Sequence, residues 1–276
     1  MIAAEFAKQI RRWRTLILVL LSGILSLLVA ILVGHSAQNG NQGAGAELPI
    51  LLRSSGVTLG IVALLGASHL LVPIAFTVYF GEPMASESKW GTLRYLLLRP
   101  VSRSRVLTAK IVVALVLALA SLLVIPLLAT VVGSAYFGLH PMVVTPGLAG
   151  LGLAHQISVT GSLGRLAMAT GYVGINCAGV AGVAVLVSVA TENVLAAVAS
   201  GFGFLIVSAL LDALPGSFIK HIQPALPTNY LDAWTSLFQP GQSLQPMQRG
   251  VIMQVAWLAV TLAAAYFLFR RKDIKC

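Results

Sequence analysis

The charged residues that could do chemistry in this chain are concentrated between Gly81 and Lys110, a polar and basic stretch within an otherwise apolar sequence. Six of the 18 lysine and arginine residues lie here: Lys89, Arg94, Arg99, Arg103, Arg105 and Lys110. Basic side chains at this density cannot lie in hydrocarbon, so the stretch predicts a loop on one side of a membrane. We interpret it as a cytoplasmic loop that contacts a partner protein, with simple anchoring at the membrane surface as the alternative.

The loop itself has the pattern of an amphipathic helix over residues 84–98. One face carries Trp90, Leu93 and Leu97, and the other carries Glu87, Gly91, Arg94 and Leu98. Pro100 would end this helix, and Ser102 or Ser104 could cap the next one. Surface anchoring explains the arginines, but it does not explain Glu87, Gly91 and Pro100 around an apolar stripe. The pattern therefore favours a docking helix.

Catalytic motifs are missing from the sequence. It contains no GxxxxGK[ST] phosphate-binding loop, HExxH, paired CxxC or GxSxG, and its histidines do not have the spacing of metal ligands. We therefore expect no enzymatic activity, no bound cofactor and no metal site in this chain.

The composition predicts an integral membrane protein built as a single domain over residues 1–276. Of its 276 residues, 58% are hydrophobic and only 9% are charged, and the mean hydropathy is +0.91. The net charge of +10 does not predict nucleic-acid binding, because no soluble domain is available to carry a basic face. Cys177 and Cys276 are expected at different membrane depths and unpaired.

Apolar runs predict an all-α fold with six membrane spans. They cover about residues 15–33, 56–80, 111–132, 165–190, 194–214 and 250–269, and the polar loop covers residues 81–110. The first 14 residues predict an amphipathic helix in the membrane interface, although a positive flank of the first span is an equal alternative. A cleaved signal peptide is another alternative, but the apolar run is longer than such peptides usually have.

Basic residues divide unevenly between the two predicted sides of the membrane. Fourteen lie in the N-terminal helix, the central loop and the C-terminus, and four lie on the other side: Arg53, Arg165, Lys220 and Arg249. By the positive-inside rule, both termini are predicted to be cytoplasmic at the plasma membrane. Five or seven spans would put one basic cluster outside.

Several features within the predicted spans favour close helix contact. Gly56 and Gly60, and a seam of Gly174, Ala178 and Gly182, have the small-residue spacing of packed membrane helices. Pro73 predicts a kink at His69. His69 and Asn176 could line a substrate path, but a hydrogen bond to a neighbouring helix is the alternative for each.

The segment from Pro215 to Arg249 combines four prolines with several aromatic residues, which predicts a segment that re-enters the outer leaflet.

Taken together, these residues resemble a known family. Glu87, Gly91-Thr92-Leu93, Pro100-Val101-Ser102-Arg103 and Lys110 are similar to the E-x-x-x-G-T-L…P-[VI]-S-R…K signature of the type-2 permeases of ATP-binding-cassette transporters. The Leu226-Pro227-Thr228 segment and the end of the chain, from Phe269 to Ile274, are also similar to that family.

The resemblance implies a six-span subunit that dimerises, with itself or a related chain, and binds two cytosolic ATPase subunits, which hold the ATP and Mg²⁺. It also implies that the loop after the second span contacts the ATPase, through Glu87, Trp90, Gly91, Thr92, Leu93, Arg94, Leu97, Pro100 and Arg103. We therefore expect the permease of an ATP-driven exporter for an amphiphilic, drug-like or lipid-like substrate. The alternative is an ATPase-independent scaffold or a secondary carrier.

Overall fold

The chain forms an all-α bundle in a computed structural model that describes residues 2–38, 55–92, 102–144, 155–215, 217–239 and 244–271. The helices and strands are α1 (Ile2–Ile10), α2 (Trp13–Gln38), α3 (Gly56–His69), α4 (Leu71–Lys89), α5 (Arg103–Phe137), β1 (Met142–Val144), β2 (His155–Ile157), α6 (Val159–Ala190), α7 (Val194–Ala213), α8 (Ser217–Ile222) and α9 (Gln245–Arg271). Three 3₁₀ turns lie between α8 and α9: Gln223–Ala225, Pro227–Tyr230 and Ala233–Phe238.

Four of these helices, α5, α6, α7 and α9, are long and apolar enough to cross a membrane. A fifth span results if α3 and α4 are counted together, with a bend of 54° between them. The bend lies at Leu70, directly after His69. Pro73 removes a backbone donor there and crowds the backbone carbonyl group of His69. The predicted kink is therefore confirmed. The apolar run of the predicted first span lies in α2.

Close packing between helices occurs where the sequence has small residues. Side-chain atoms added at Gly56 or Gly60 would collide with α5, at Ser134 and Thr130 respectively. A Cβ at Gly182 would collide with Thr261 of α9. The predicted close contacts of these glycines are confirmed, and they lie within one chain.

Helix boundaries differ most from the prediction around the basic stretch. The predicted loop over residues 81–110 is wrong in its extent, because α4 continues to Lys89 and α5 begins at Arg103. A separate helix beginning at Met84 is also wrong, since Met84 lies within α4. The reason is that ion pairs neutralise Glu82, Glu87 and Lys110, which allows these residues to lie in helices of the bundle. Their charge therefore did not indicate a loop.

We call the end of the bundle where α4 ends and α5 begins the basic end, and the other the opposite end. At the opposite end, the connection between the third and fourth predicted spans, residues 133–164, is shorter than those spans imply, because α5 extends to Phe137 and α6 begins at Val159. Between them, β1 and β2 pair antiparallel, with Met142 opposite Ile157. These two side chains pack against Ile61 and Phe238.

Large apolar side chains cover much of the outer surface, as expected of a membrane protein. Leu20 and Ile24 of α2 and Ile252 and Val260 of α9 are all more than half exposed. Helix α1 follows the same rule, because Ile2 is exposed while Glu5 and Gln9 are buried. Its polar face contacts the bundle, together with Phe6, which packs against the apolar core.

Candidate functional site

A buried lysine joins three segments at the basic end. Lys110 Nζ in α5 lies 3.1 Å from Glu5 Oε1 in α1 and 2.8 Å from Glu87 Oε1 in α4. The Lys110 and Glu87 side chains are only 3% and 2% exposed. A buried ammonium group requires a carboxylate partner, and here it has two. The pairs therefore fix α1 and the end of α4 to the start of α5.

Helix α1 completes this arrangement with two further contacts. Lys8 pairs with Glu87 from the more exposed side, and Gln9 Nε2 donates to Glu5 Oε1 at 3.0 Å. Burial alone would raise the pKa of Glu5, but the charge of Lys110 and the hydrogen bonds from Gln9 and Lys110 lower that pKa below its ordinary value. Glu5 is therefore held as a carboxylate.

A second pair of basic residues anchors the junction between α1 and α2. Arg12 lies 3.0 Å and Arg14 3.2 Å from Glu82 Oε1 in α4. Arg12 also donates to Ser86 Oγ at 3.3 Å. We call Glu5, Lys8, Arg12, Arg14, Glu82, Glu87 and Lys110 the charge network. Through it, the N-terminal segment contacts α4 along more than one helical turn.

The chain leaves α4 through a turn that presents a tryptophan to the surroundings. Trp90 is 76% exposed, and its backbone N–H donates to Ser86 O at 3.0 Å. Gly91 has a φ of 66°, the left-handed conformation that glycine adopts without steric cost. Thr92 Oγ1 donates to Glu87 O at 3.3 Å. Leu93, Arg94, Leu97 and Pro100 lie outside the described residues.

The predicted contact face is thus divided between surface and interior. Glu87, predicted on the same face as Gly91 and Arg94, is buried and paired within the chain, whereas Trp90 and Thr92 are exposed. Arg103 reaches the end of α9, where its guanidinium donates to Phe269 O at 3.4 Å and Arg270 O at 3.3 Å. A cation at the C-terminal carbonyls of a helix is favourable because it complements the helix dipole.

An open groove of about 490 Å³ lies beside the charge network. Its walls are the junction of α1 and α2, the end of α4 and the start of α7. Four basic residues line it, Lys8, Arg12, Arg14 and Lys89, together with Trp13 and Trp90. Its two carboxylates, Glu82 and Glu87, have side chains that are only 11% and 2% exposed. The accessible charge of the groove is therefore positive.

At the opposite end, Asn176 takes part in a buried set of neutral hydrogen bonds. Its amide nitrogen donates to Tyr230 O at 3.1 Å, and its oxygen accepts from Gln254 Nε2 at 2.5 Å. Gln254 also donates to Pro227 O at 3.2 Å, and Tyr172 donates to Tyr230 O at 2.8 Å. One of the two alternatives predicted for Asn176 was a hydrogen bond to a neighbouring helix. The bond from Gln254 of α9 confirms it.

These bonds hold residues 217–239 between the helices. Trp257 of α9 donates to Ala225 O at 2.9 Å, and Arg165 donates to Leu237 O at 2.9 Å. Gln254 lies nine residues after the start of α9, a distance of about 14 Å at the helical rise of about 1.5 Å per residue. The 3₁₀ turns therefore extend into the bundle, well past the start of α9.

His69 lies at the bend between α3 and α4 and contacts the same segment. Its Nδ1 is 3.0 Å from Leu65 O, and its Nε2 is 3.1 Å from a carboxylate oxygen of Asp232. Both side chains of the pair are about half exposed. Beside it is a second cavity of about 440 Å³, lined by Asp212, Asp232 and Arg249 among others. The structure therefore gives His69 partners within the chain.

Sequence reasoning missed most of the charge network. Glu5, Lys8 and Glu82 were interpreted only as parts of a surface helix or a loop. The available signal was the scarcity of acidic residues, because only eight occur in the chain and three of them, Glu5, Glu82 and Glu87, lie within its N-terminal and central basic clusters. Gln254 was missed because it lies within an apolar span. In the part of the chain that the structure describes, no group of three or more possible ligands could hold a metal ion.

Residues 27–274 match the model of a family described as "Protein of unknown function (DUF2705)". No curated protein matches the chain.

Proposed function

Because the chain belongs to the DUF2705 family, whose function is unknown, we propose from its own residues that it is the membrane-spanning subunit of a transporter driven by a separate cytosolic ATPase. In this proposal the chain has six spans: α2, the bent pair α3 and α4, α5, α6, α7 and α9. Both termini and the basic end face the cytoplasm, and the protein lies in the plasma membrane. Residues 217–239 re-enter the membrane from the outer side.

The charge network is the observation that carries the proposal. It joins the two helices that flank residues 90–102, α4 and α5, through a pair of buried groups, Glu87 and Lys110. A partner that pulls on this connection would move both helices together, because separating them would leave buried charges unpaired. The segment with the sequence signature thus emerges from a firmly joined base, as an energy-coupling element requires.

The position of the buried charges also supports an external energy source. Among the described residues, the buried charged side chains are Glu5, Glu82, Glu87 and Lys110, all at the basic end. Ion-coupled carriers usually hold such groups near the bilayer midplane. We propose that two ATPase subunits bind ATP and Mg²⁺, that two permease chains form the pathway, and that the cargo is an amphiphilic molecule exported between them.

In this proposal, exposed residues of the basic stretch between Gly81 and Lys110 make the contact with the ATPase. We propose that Trp90, Thr92 and the residues that follow them, Leu93, Arg94, Leu97 and Pro100, contact the ATPase. Glu87 and Arg103 would support this contact without touching the ATPase. Glu87 holds α4 to α5, and Arg103 holds α9 to α5. A small contact of this kind depends on a few side chains at its centre.

The test is to replace Trp90 with aspartate and measure copurification of a cytosolic ATPase with the tagged chain from its native membranes. We expect association to weaken by about 1 to 3 kcal/mol, and ATP-dependent transport to fall with it. Leu139→Asp is the matched control, because Leu139 is also exposed but lies at the opposite end. Transport that stops on collapse of the proton gradient while ATP is maintained would contradict the proposal and favour a secondary carrier.

A further inference from the structure

The groove at the basic end has features that a docking contact with a protein does not require. Two exposed tryptophans stand at its rim, Trp13 at the start of α2 and Trp90 after α4. Tryptophan favours the level of lipid headgroups, where its ring contacts acyl chains and its N–H meets polar groups. Two exposed tryptophan rings therefore suit a groove at the depth of the headgroups.

The charges of the groove are arranged for an anion. Arg14 and Lys8 have side chains that are 62% and 44% exposed, whereas both carboxylates lie in the floor. Because one carboxylate oxygen of Glu82 forms ion pairs with both Arg12 and Arg14, it holds these two guanidinium groups side by side. Lys89, also exposed, faces the groove from the end of α4. Paired cations at fixed positions suit a phosphate group.

An apolar surface continues directly from the groove. After Trp13 and Arg14, α2 exposes Leu16, Ile17, Leu20, Leu21 and Ile24. An acyl chain can follow this face while its headgroup occupies the groove. A free phosphate ion would make no use of it, so the apolar continuation favours a phospholipid.

We propose that this groove is a binding site for the headgroup of an anionic phospholipid of the cytoplasmic leaflet. Basic pockets between helices at this side of the membrane have the charge that such lipids require. The bound lipid would lie against α1, α2 and α4, and so would stabilise the N-terminal segment on the bundle. The inference depends on the membrane location of the chain but not on a transport function.

The experiment is a titration of the purified full chain in detergent with dioleoyl phosphatidylglycerol or dioleoyl phosphatidylcholine, with bound lipid counted by native mass spectrometry. We expect the chain to retain phosphatidylglycerol in preference to phosphatidylcholine. The double variant Arg14→Gln, Lys89→Gln should weaken phosphatidylglycerol binding by on the order of 25-fold, from about fivefold for each cation removed. Arg12 still pairs with Glu82 in this variant, so the fold is retained.

Arg11→Gln with Arg105→Gln is the matched control, because it removes the same charge from exposed positions outside the groove. We expect this control to change binding less than twofold. Equal loss in both double variants would overturn the inference, since binding would then reflect net charge alone. Displacement of the lipid by millimolar inorganic phosphate would overturn it in favour of a phosphate-ion site. Loss of ATPase association with unchanged lipid binding would overturn it in favour of a protein docking surface.

Discussion

At the basic end, segments distant in sequence meet through buried ion pairs, whereas at the opposite end residues 217–239 are held mainly by neutral side chains, together with Arg165, that donate to backbone carbonyls. The two arrangements respond differently to the loss of one member. Removing the cation from a buried carboxylate costs a large free energy of folding. Removing the donor from a backbone carbonyl costs less. The basic end is therefore the more sensitive to mutation and to pH.

The largest expected effect is at Lys110. Replacing it with methionine leaves Glu5 and Glu87 buried without their shared cation, and we expect the free energy of unfolding to fall by about 3 to 5 kcal/mol. The measurement is reversible unfolding in mixed micelles. Arg105→Met is the control, because Arg105 is an exposed cation of the same helix. A triple variant that adds Glu5→Gln and Glu87→Gln should recover part of the loss; no recovery would show that charge is not the cause.

An intermediate effect is expected at Gln254 in the neutral network. Gln254→Leu removes donors to Asn176 and to Pro227 O, and we expect a loss of about 1 to 3 kcal/mol in the same unfolding assay. Gln248→Leu is the control, because Gln248 lies on the same helix but is exposed. A loss as large as that of Lys110→Met would remove the distinction between the two ends.

The pH response should also distinguish the two ends. Because the pKa of Glu5 is lowered in the folded protein, its stabilising contribution is present above the ordinary glutamate pKa and is lost as pH falls through the folded-state value. We expect α1 to separate from α5 in acid. The distance between spin labels at Ala4→Cys and Arg105→Cys, in a Cys177→Ser, Cys276→Ser background, would report it. Glu5→Gln should shift the midpoint; an unchanged midpoint would assign the response to another group.

The smallest effect is expected at His69. Its imidazole lies 3.1 Å from a carboxylate oxygen of Asp232, but both side chains are about half exposed. Exposed ion pairs contribute about 0 to 1 kcal/mol. We therefore expect His69→Gln to change the free energy of unfolding by less than about 1 kcal/mol. A larger change would show that burial, the difference between the two ends, is not what determines the contribution of an ion pair.

The sequence was informative where one physical requirement dominated. Apolar runs predicted long helices, Pro73 predicted the break after His69, and small residues predicted the close approach of α3 to α5. Each of these follows from local sterics or from hydropathy alone. The number of spans and the contact with an ATPase stay predictions.

The charge network was not predictable in the same way. Charge at Glu82, Glu87 and Lys110 was interpreted as a loop, because an isolated charge is excluded from a buried helix. The pairs that permit burial join positions as far apart as Glu5 and Lys110, separated by 105 residues. Such pairing depends on how helices assemble and leaves no local pattern. For the same reason, the burial of Glu87 beside an exposed Trp90 could not be foreseen.

The separation between Glu5 and Lys110 has a consequence for biogenesis. Glu5 is synthesised 105 residues before Lys110, so at about 5 to 20 residues per second Lys110 follows roughly 5 to 20 s later. Throughout that interval the N-terminal helix has no ammonium group to dock on, although α2 and the α3–α4 pair have already been synthesised. Helix α1 is thus made well before the residue that holds Glu5 in place, and a nascent chain arrested before α5 would lack the pairing of Glu5 with Lys110.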